Sequence, residues 1–457
     1  MVKEQVESFP PGPRGKPLVG SLPTMQRRGM IDFYTEVWQS YGDLAHLRMG
    51  PLHQYLLMQP AYIRHVLVHN VDNYCKGIGF RKLGLTLGNG LFLSEGELWR
   101  QQRRLMQPPF THKGIQQFAD DMVWATKQML TTWQTAAQTG EPLAMDEEMM
   151  QLAMQIIGRT MFRTDITAEA HEAADAFTYV LNFVSERSVT LFDIPLFVPT
   201  PTNRRFNRSL HFLRTYIDSI IAKRRAAPTA QEDLLTMLLT ARDEEHGTTM
   251  SEQQLRDEVM TIFFAGHETT AQALTWTWYL LSQHPEVEAE LHAELDRVLA
   301  GRAPTVADLP NLSYTRMVFQ EALRLYPPVL MFVRDAIDWD EIDGYPIPPR
   351  SMMVLNPYLM HRHPAFWQQP KQFDPERFRP GTYEERPHYA YFPFGGGRRT
   401  CLGDKFALLE GQIVLALVAQ RYRLRLLPDH RVEPMMLGTL RPRYGMPMIV
   451  EARPGMT

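Results

Sequence analysis

Apolar residues recur every three to four positions along most of this chain. That spacing predicts helices over about 116–136, 144–163, 169–188, 205–226, 250–284, 286–300 and 314–326, with a further apolar run from Phe406 to Ala419. The longest of them is mostly apolar from Val259 to Leu281, long enough to suggest a membrane span. His267, Glu268, Thr269, Thr270 and Gln272 sit in its middle, and that many polar groups in lipid is costly. A buried helix passing a functional cavity is the better reading. Two stretches alternate instead of cycling. Leu44 to Leu57, around Gly50-Pro51, reads as a hairpin, and Ile342 to Leu355 as a β-rich patch turning at Asp343-Gly344. Another hairpin is expected between Val432 and Val450. From Leu355 to Phe394 the chain is rich in proline and aromatic residues, including His363-Pro364, Phe373-Asp-Pro375 and Glu376-Arg-Phe378, which predicts an ordered meander. Irregular stretches of this length usually serve a purpose.

No repeat, linker or low-complexity block interrupts the pattern. The expectation is one mainly α domain over residues 1–457, with a β-rich part mainly at 40–60 and 330–356 and a helical part mainly at 95–326 and 402–421. With 457 residues and 44% hydrophobic content, the chain has enough apolar material to enclose a large cofactor. A formal net charge of −3 argues against nucleic-acid binding and against a polybasic membrane tail. Cys75 and Cys401, the only cysteines, make neither a zinc site nor a disulfide framework and suit a reducing cytoplasm. No signal peptide is visible, so a soluble, cytoplasmic protein without a transmembrane anchor is expected.

The strongest chemical signal lies ahead of the Phe406 run, in Phe394-Gly-Gly-Gly397-Arg-Arg399-Thr-Cys401-Leu-Gly403. Glycines leave room for a large planar ligand to approach a sulfur closely. The positive end of the following helix favours thiolate over thiol, and Arg399 is placed to meet an anionic group at the ligand's rim. A buried structural cysteine would explain a lone Gly-Gly-Gly-x-x-x-Cys, but five spaced matches, Phe394, Gly397, Arg399, Cys401 and Gly403, favour a metal thiolate. The segment resembles the haem-binding loop of the cytochrome P450 superfamily, the haem-thiolate monooxygenases. The resemblance implies the P450 fold, with haem b held between a long central helix and the cysteine loop.

Three more motifs occur in the order the resemblance requires. Glu321-Ala-Leu-Arg324 puts a carboxylate and a guanidinium on one helical face, where they can pair with each other and with a third group. The resemblance supplies that group from the meander, as Arg377, and gives the three a structural role in holding the cysteine loop. Ala265-Gly266-His267-Glu268-Thr269-Thr270 lies midway along the apolar helix. Thr269 can bond back to the Ala265 carbonyl, loosening the helix where Gly266 leaves space for dioxygen. Glu268 and Thr269 match the acid–alcohol pair that relays protons in oxygen-activating members, while His267 is read as structural. Trp99 and Arg103, four residues apart, align two donors suited to a haem propionate. Arg334 resembles another propionate-binding arginine. His361 and His363 lack a third ligand and are read as meander residues.

The resemblance covers nearly the whole chain. It implies insertion of one atom of O2 into a lipophilic substrate, by hydroxylation or epoxidation. A peroxide-using enzyme or, less in keeping with the relay, a haem sensor are the alternatives. With no Rossmann or flavin motif, electrons are expected from NAD(P)H through a ferredoxin or flavodoxin and its reductase. Arg100, Arg104, Lys113, Arg398 and Lys405 suit such an acidic partner. Phe92, Phe263, Phe264, Val329, Leu330, Met331 and Phe332 are expected to line an apolar substrate pocket, with Leu91 beside them. The Phe9-Pro-Pro-Gly-Pro13 opening resembles the hinge after the anchor of microsomal members; almost nothing precedes it, so the anchor is expected to be missing. Some fatty-acid hydroxylases carry a cationic anchor just after the first hairpin's glycine. Here Pro51 follows Gly50, although Tyr55 remains. Terpenoids, steroids and fatty acids all stay open.

Overall fold

A computed structural model of the chain describes residues 9–163, 168–188, 194–226, 233–240 and 249–454. The chain divides into two compact units. One comprises Met1–Arg81, Arg324–Gln372 and Pro380–Cys401; the other comprises Lys82–Leu323, Phe373–Arg379 and Leu402–Thr457.

The first unit is built on a five-stranded mixed sheet. Leu44–Met49 and Leu52–Leu57 form the expected hairpin, in antiparallel register from Leu44 opposite Leu57 to Met49 opposite Leu52. Gly50 at the turn has φ +61°, a left-handed conformation that glycine adopts without steric cost. The second β patch turns at Asp343-Gly344 as read, but only the short pair Asp340–Ile342 and Tyr345–Ile347 closes on itself. Met352–Leu355 instead runs parallel to Leu52–Leu57 and antiparallel to Phe332–Ala336, which in turn pairs with Tyr74–Cys75. Phe332–Ala336 falls within the expected β-rich part at 330–356, but its pairing was not legible, because its partners are brought to it from separate stretches of the chain. Tyr55, Leu56, Leu57, Met353, Val354 and Leu355 form the centre of this unit's core. Two helices absent from the sequence reading, Leu22–Arg28 and Met30–Tyr41, precede the sheet and meet at Gly29, whose φ of +81° ends the first.

Helices make up most of the second unit, and their limits fall close to the periodic stretches: Ala119–Thr139, Met145–Phe162, Ala168–Ser188, Pro201–Ala226, Glu252–Gln283, Pro285–Leu299 and Ser313–Leu325, the last of which continues into the first unit. The long Glu252–Gln283 helix starts where the Ser251 side chain accepts from the Gln254 amide at 3.2 Å, and it stops before Pro285 opens the next helix. Asp404–Arg421 is buried on almost every face from Leu409 onward, which explains its continuous apolar run. It packs Phe406 against Phe118, and Gly411 lies so close to the Phe319 ring that a Cβ there would collide with it. The C-terminal hairpin is real but shorter than its predicted span. Pro434–Leu437 pairs with Thr439–Pro442 across Gly438, whereas Pro447–Ala452 joins a sheet with Tyr422–Leu426 and Leu143–Ala144. Among the described residues no helix is long and apolar enough to cross a membrane.

Candidate active site

In the first unit the cysteine loop is held by its own backbone. The Cys401 amide donates to the Phe394 carbonyl at 2.9 Å, and the Thr400 hydroxyl donates to the Gly397 carbonyl at 2.7 Å. Gly395 and Gly397 have φ of +72° and +63°. A Cβ at Gly397 would run into the Leu67 carbonyl, and one at Gly396 into the Tyr389 ring, so the loop's fold itself demands glycine there. Gly403 differs: its φ is −93° and nothing lies within 4 Å of a Cβ, so the chain alone gives no reason for it. The Cys401 side is exposed, Phe394 and Arg399 are half-buried, and Phe332 approaches the position of a Gly395 Cβ to 3.6 Å. Arg334 is buried on its strand, where a guanidinium N–H donates to the Val333 carbonyl at 2.8 Å.

The meander is braced from Arg324, which is fully buried and donates to three carbonyls: His361 and Pro370 at 2.7 Å each and Gln372 at 2.9 Å. The Trp367 ring faces its guanidinium at 5.0 Å. His361 bridges two segments, with Nδ1 3.2 Å from the Arg324 carbonyl and Nε2 accepting the Phe392 amide at 3.0 Å. That pattern fixes the proton on Nδ1. His363 contacts Asp43 at 3.0 Å and accepts the Ala365 amide. In the second unit Glu321, fully buried, accepts the Asp374 amide at 2.9 Å and lies 3.4 Å from Arg377 Nε. Charges buried this deeply persist only when paired.

The other half of the chemistry lies along the long helix in the second unit. Thr269 donates its hydroxyl to the Ala265 carbonyl at 2.6 Å. Ala265 is exposed and Phe264, Gly266 and Thr269 are half-buried, whereas Thr261 to Phe263, His267, Glu268 and Thr270 are buried, so one strip of an otherwise enclosed helix is open. The space does not come from Gly266, as the sequence suggested: a Cβ there would strike Ile157, so this glycine serves close helix packing. Glu268, next to Thr269, is buried and forms an ion pair with Arg441 while the Thr439 hydroxyl donates to the same oxygen, Oε1, at 2.7 Å. Burial and the Arg441 charge together push His267 down to about 4, so its ring is neutral at physiological pH.

About two turns before Ala265, Asp257 and Glu258 anchor the loop that carries Phe92. Asp257 accepts the Asn89 amide and Glu258 the Leu91 amide, both at 2.9 Å, while Gln102 donates to the Asn89 carbonyl at 3.0 Å. Phe92 and Phe264 then meet edge to face, 5.8 Å apart. Phe263 is a correction to the expected pocket. It stacks on Phe162 at 4.4 Å and abuts Phe177 and Tyr216, leaving no surface for a ligand. Leu330 is likewise fully buried, whereas Val329, Met331 and Phe332 keep accessible surface. Trp99 is buried and Arg103 half-buried on the Gly96–Met106 helix. Asp257, Glu258, Thr439 and Arg441 escaped the sequence reading; only the alternation of Thr439 and Arg441 on one strand face hinted at a shared target.

Among the described residues no three His, Cys, Asp or Glu side chains gather to hold a metal ion. An exposed sulfur on a loop folded through glycines fits a thiolate ligand to a large planar cofactor such as haem. Residues 10–448 match the family model described as Cytochrome P450. The chain is 38% identical to cyclooctatin synthase of Streptomyces melanosporofaciens, over 92% of this chain and 91% of that protein. It is 36% identical to cyclooctat-9-en-7-ol 5-monooxygenase of the same organism, over 91% and 89%. Pentalenene oxygenase of Streptomyces avermitilis is 33% identical, over 94% of each. A cysteine loop and an oxygen-helix motif in these positions, on a chain that matches throughout, lead to one conclusion: the chain belongs to the cytochrome P450 family and is a haem-thiolate monooxygenase.

Proposed function

We propose that this monooxygenase oxidises a terpenoid, an olefinic hydrocarbon or its alcohol. The observation that carries the proposal is the identity of 33% and 36%, over nine-tenths of the chain, with proteins named for oxidising pentalenene and cyclooctat-9-en-7-ol. Tyr55 supports it over a fatty acid. It is fully buried, and its hydroxyl donates to the Pro346 carbonyl at 3.2 Å, so it offers a carboxylate nothing. The accessible rings of Phe92 and Phe264 offer contact to an apolar skeleton without a charged anchor.

In this reading Cys401 would supply the thiolate to the haem, and Arg399, Arg334, Trp99 and Arg103 would pair with its propionates. Phe394, Gly397 and Gly403 would leave room for the haem beside the sulfur, and Ala265 faces the oxygen side, with Gly266 behind it against Ile157. The haem, when bound, supplies reductive activation of dioxygen. Glu268 and Thr269 move protons to the open strip of the helix, and residues 1–457 work as one catalytic domain. Glu321, Arg324 and Arg377 secure the meander. Electrons come from NAD(P)H through a ferredoxin-type partner and its reductase; Arg100, Arg104, Lys113 and Lys405 are exposed, as is Arg398 beside Asp72 at 2.5 Å. A cytoplasmic setting keeps the thiol reduced.

The test is a spin-shift titration of the holoenzyme with cyclic olefins, their alcohols, steroids and long-chain fatty acids, followed by product analysis. Saturable shifts and oxygenated products with the olefins support the proposal. Shifts confined to fatty acids or steroids overturn the substrate class. Thr269→Ala should divert electrons from product to peroxide by roughly tenfold or more, as expected for loss of a proton-transfer group.

A further inference from the structure

The C-terminal hairpin does more than close the second unit. Thr439 and Arg441 alternate on one face of its second strand, and both reach the same carboxylate oxygen, Glu268 Oε1. The strand is fixed to the helix independently of that pair, since Trp276 Nε1 donates to the Leu440 carbonyl at 2.9 Å. At the turn, Gly438 has φ +76°, and a Cβ there would lie 3.8 Å from both Glu268 carboxylate oxygens and 3.4 Å from the Ser185 hydroxyl. The hairpin's turn thus lies close to the carboxylate, and its second strand is tied to the helix by Trp276. Glu268 Oε2, in contrast, is buried with no hydrogen-bond partner among the described residues.

We infer that Arg441 and Thr439 are positioning residues for proton delivery: they saturate Oε1 and leave Oε2 as the single atom through which Glu268 takes and passes a proton. This rests on the assignment of Glu268 to the relay. An oxygen that already accepts an N–H and an O–H has its lone pairs directed at those donors, so a proton arriving at the carboxyl goes to the other oxygen. The guanidinium also compensates the buried charge each time the proton has left. Only protons cross this group; each one passed toward Thr269 is replaced from solvent, and the electrons come from the redox partner.

The experiment compares Arg441→Met, Arg441→Lys, Thr439→Val and Glu268→Gln holoenzymes with the natural protein. It measures the ratio of peroxide to oxygenated product per electron pair and the solvent isotope effect on product formation. Arg441→Met and Thr439→Val should each raise the peroxide ratio by roughly tenfold and enlarge the isotope effect, with Arg441→Lys recovering most of the coupling. Thr439→Val keeps the side-chain shape, so it carries the test should Arg441→Met fail to fold. If Glu268→Gln uncouples turnover while Arg441→Met and Thr439→Val change only thermal stability, the positioning role is refuted and the relay stands. If Glu268→Gln itself turns over with natural coupling, the relay assignment falls, and the inference with it.

Discussion

Glu258 should make the protein lose stability as pH rises through neutrality, and Glu258→Gln should abolish that loss. Burial, reinforced by the neighbouring Asp257 charge and opposed by hydrogen bonds from the Leu91 amide and Gln102, lifts its carboxyl from an ordinary 4.5 to about 8. Below 4.5 both folded and unfolded chains hold the proton; from there to about 8 only the folded chain does; above 8 neither does. The folded state therefore loses about 1.4 kcal/mol per pH unit across the window. The whole shift corresponds to about 5 kcal/mol, an order-of-magnitude figure large beside typical net stabilities. Glutamine keeps an acceptor for the Leu91 amide and never ionises. Relative to the natural protein, Glu258→Gln should gain about 3 kcal/mol between pH 5 and pH 7. Urea unfolding of both holoproteins, followed by tryptophan fluorescence at several pH values, reads the difference, and common terms from the cofactor cancel. A stability difference that stays constant from pH 5 to pH 8 would refute the reasoning, because it would mean that Glu258 is ionised in the folded chain throughout.

Other perturbations test the remaining supports. Arg377→Leu leaves the Glu321 carboxylate buried without its cation and should cost about 3–5 kcal/mol, seen as a lower yield of haem-loaded protein and a lower unfolding midpoint. Gly266→Ala forces Ile157 aside and should destabilise by about 1–3 kcal/mol in thermal unfolding, although the same change looks harmless from helix propensity alone. Cys401→His should remove the thiolate signature from the carbon monoxide difference spectrum of the reduced protein; its survival would exclude Cys401 as the ligand.

What could be read from the sequence was whatever depends on near neighbours. The loop around Cys401 is legible because glycine, arginine and sulfur must stand at fixed short spacings, and the structure adds only the collisions that make Gly396 and Gly397 obligatory. Approximate helix limits were legible for the same reason, since the 3.6-residue repeat is local. Strand pairing was not: Phe332–Ala336 acquires its place from Met352–Leu355 and Tyr74–Cys75, and nothing in its own five residues says so. Phe263 and Phe264 make the same point within the site. Adjacent on one helix, they turn about 100° from each other, and only the neighbours decide which one is packed away.

Glu268 shows why that boundary matters for mechanism. From the motif alone it is an acid beside an alcohol, and the pair looks self-sufficient. In the fold its carboxylate belongs as much to Thr439 and Arg441, more than 170 residues on, as to Thr269. Removing Arg441 would leave a charge with 1% of its side chain exposed and no countercharge, and such a group either takes up a proton and keeps it or drags its surroundings open. Neither state can pass protons on cue. The capacity of the motif to work as a relay is therefore a property of the helix and the hairpin jointly. A variant survey confined to residues 265–270 would assign to Glu268 alone an effect that the hairpin helps to set.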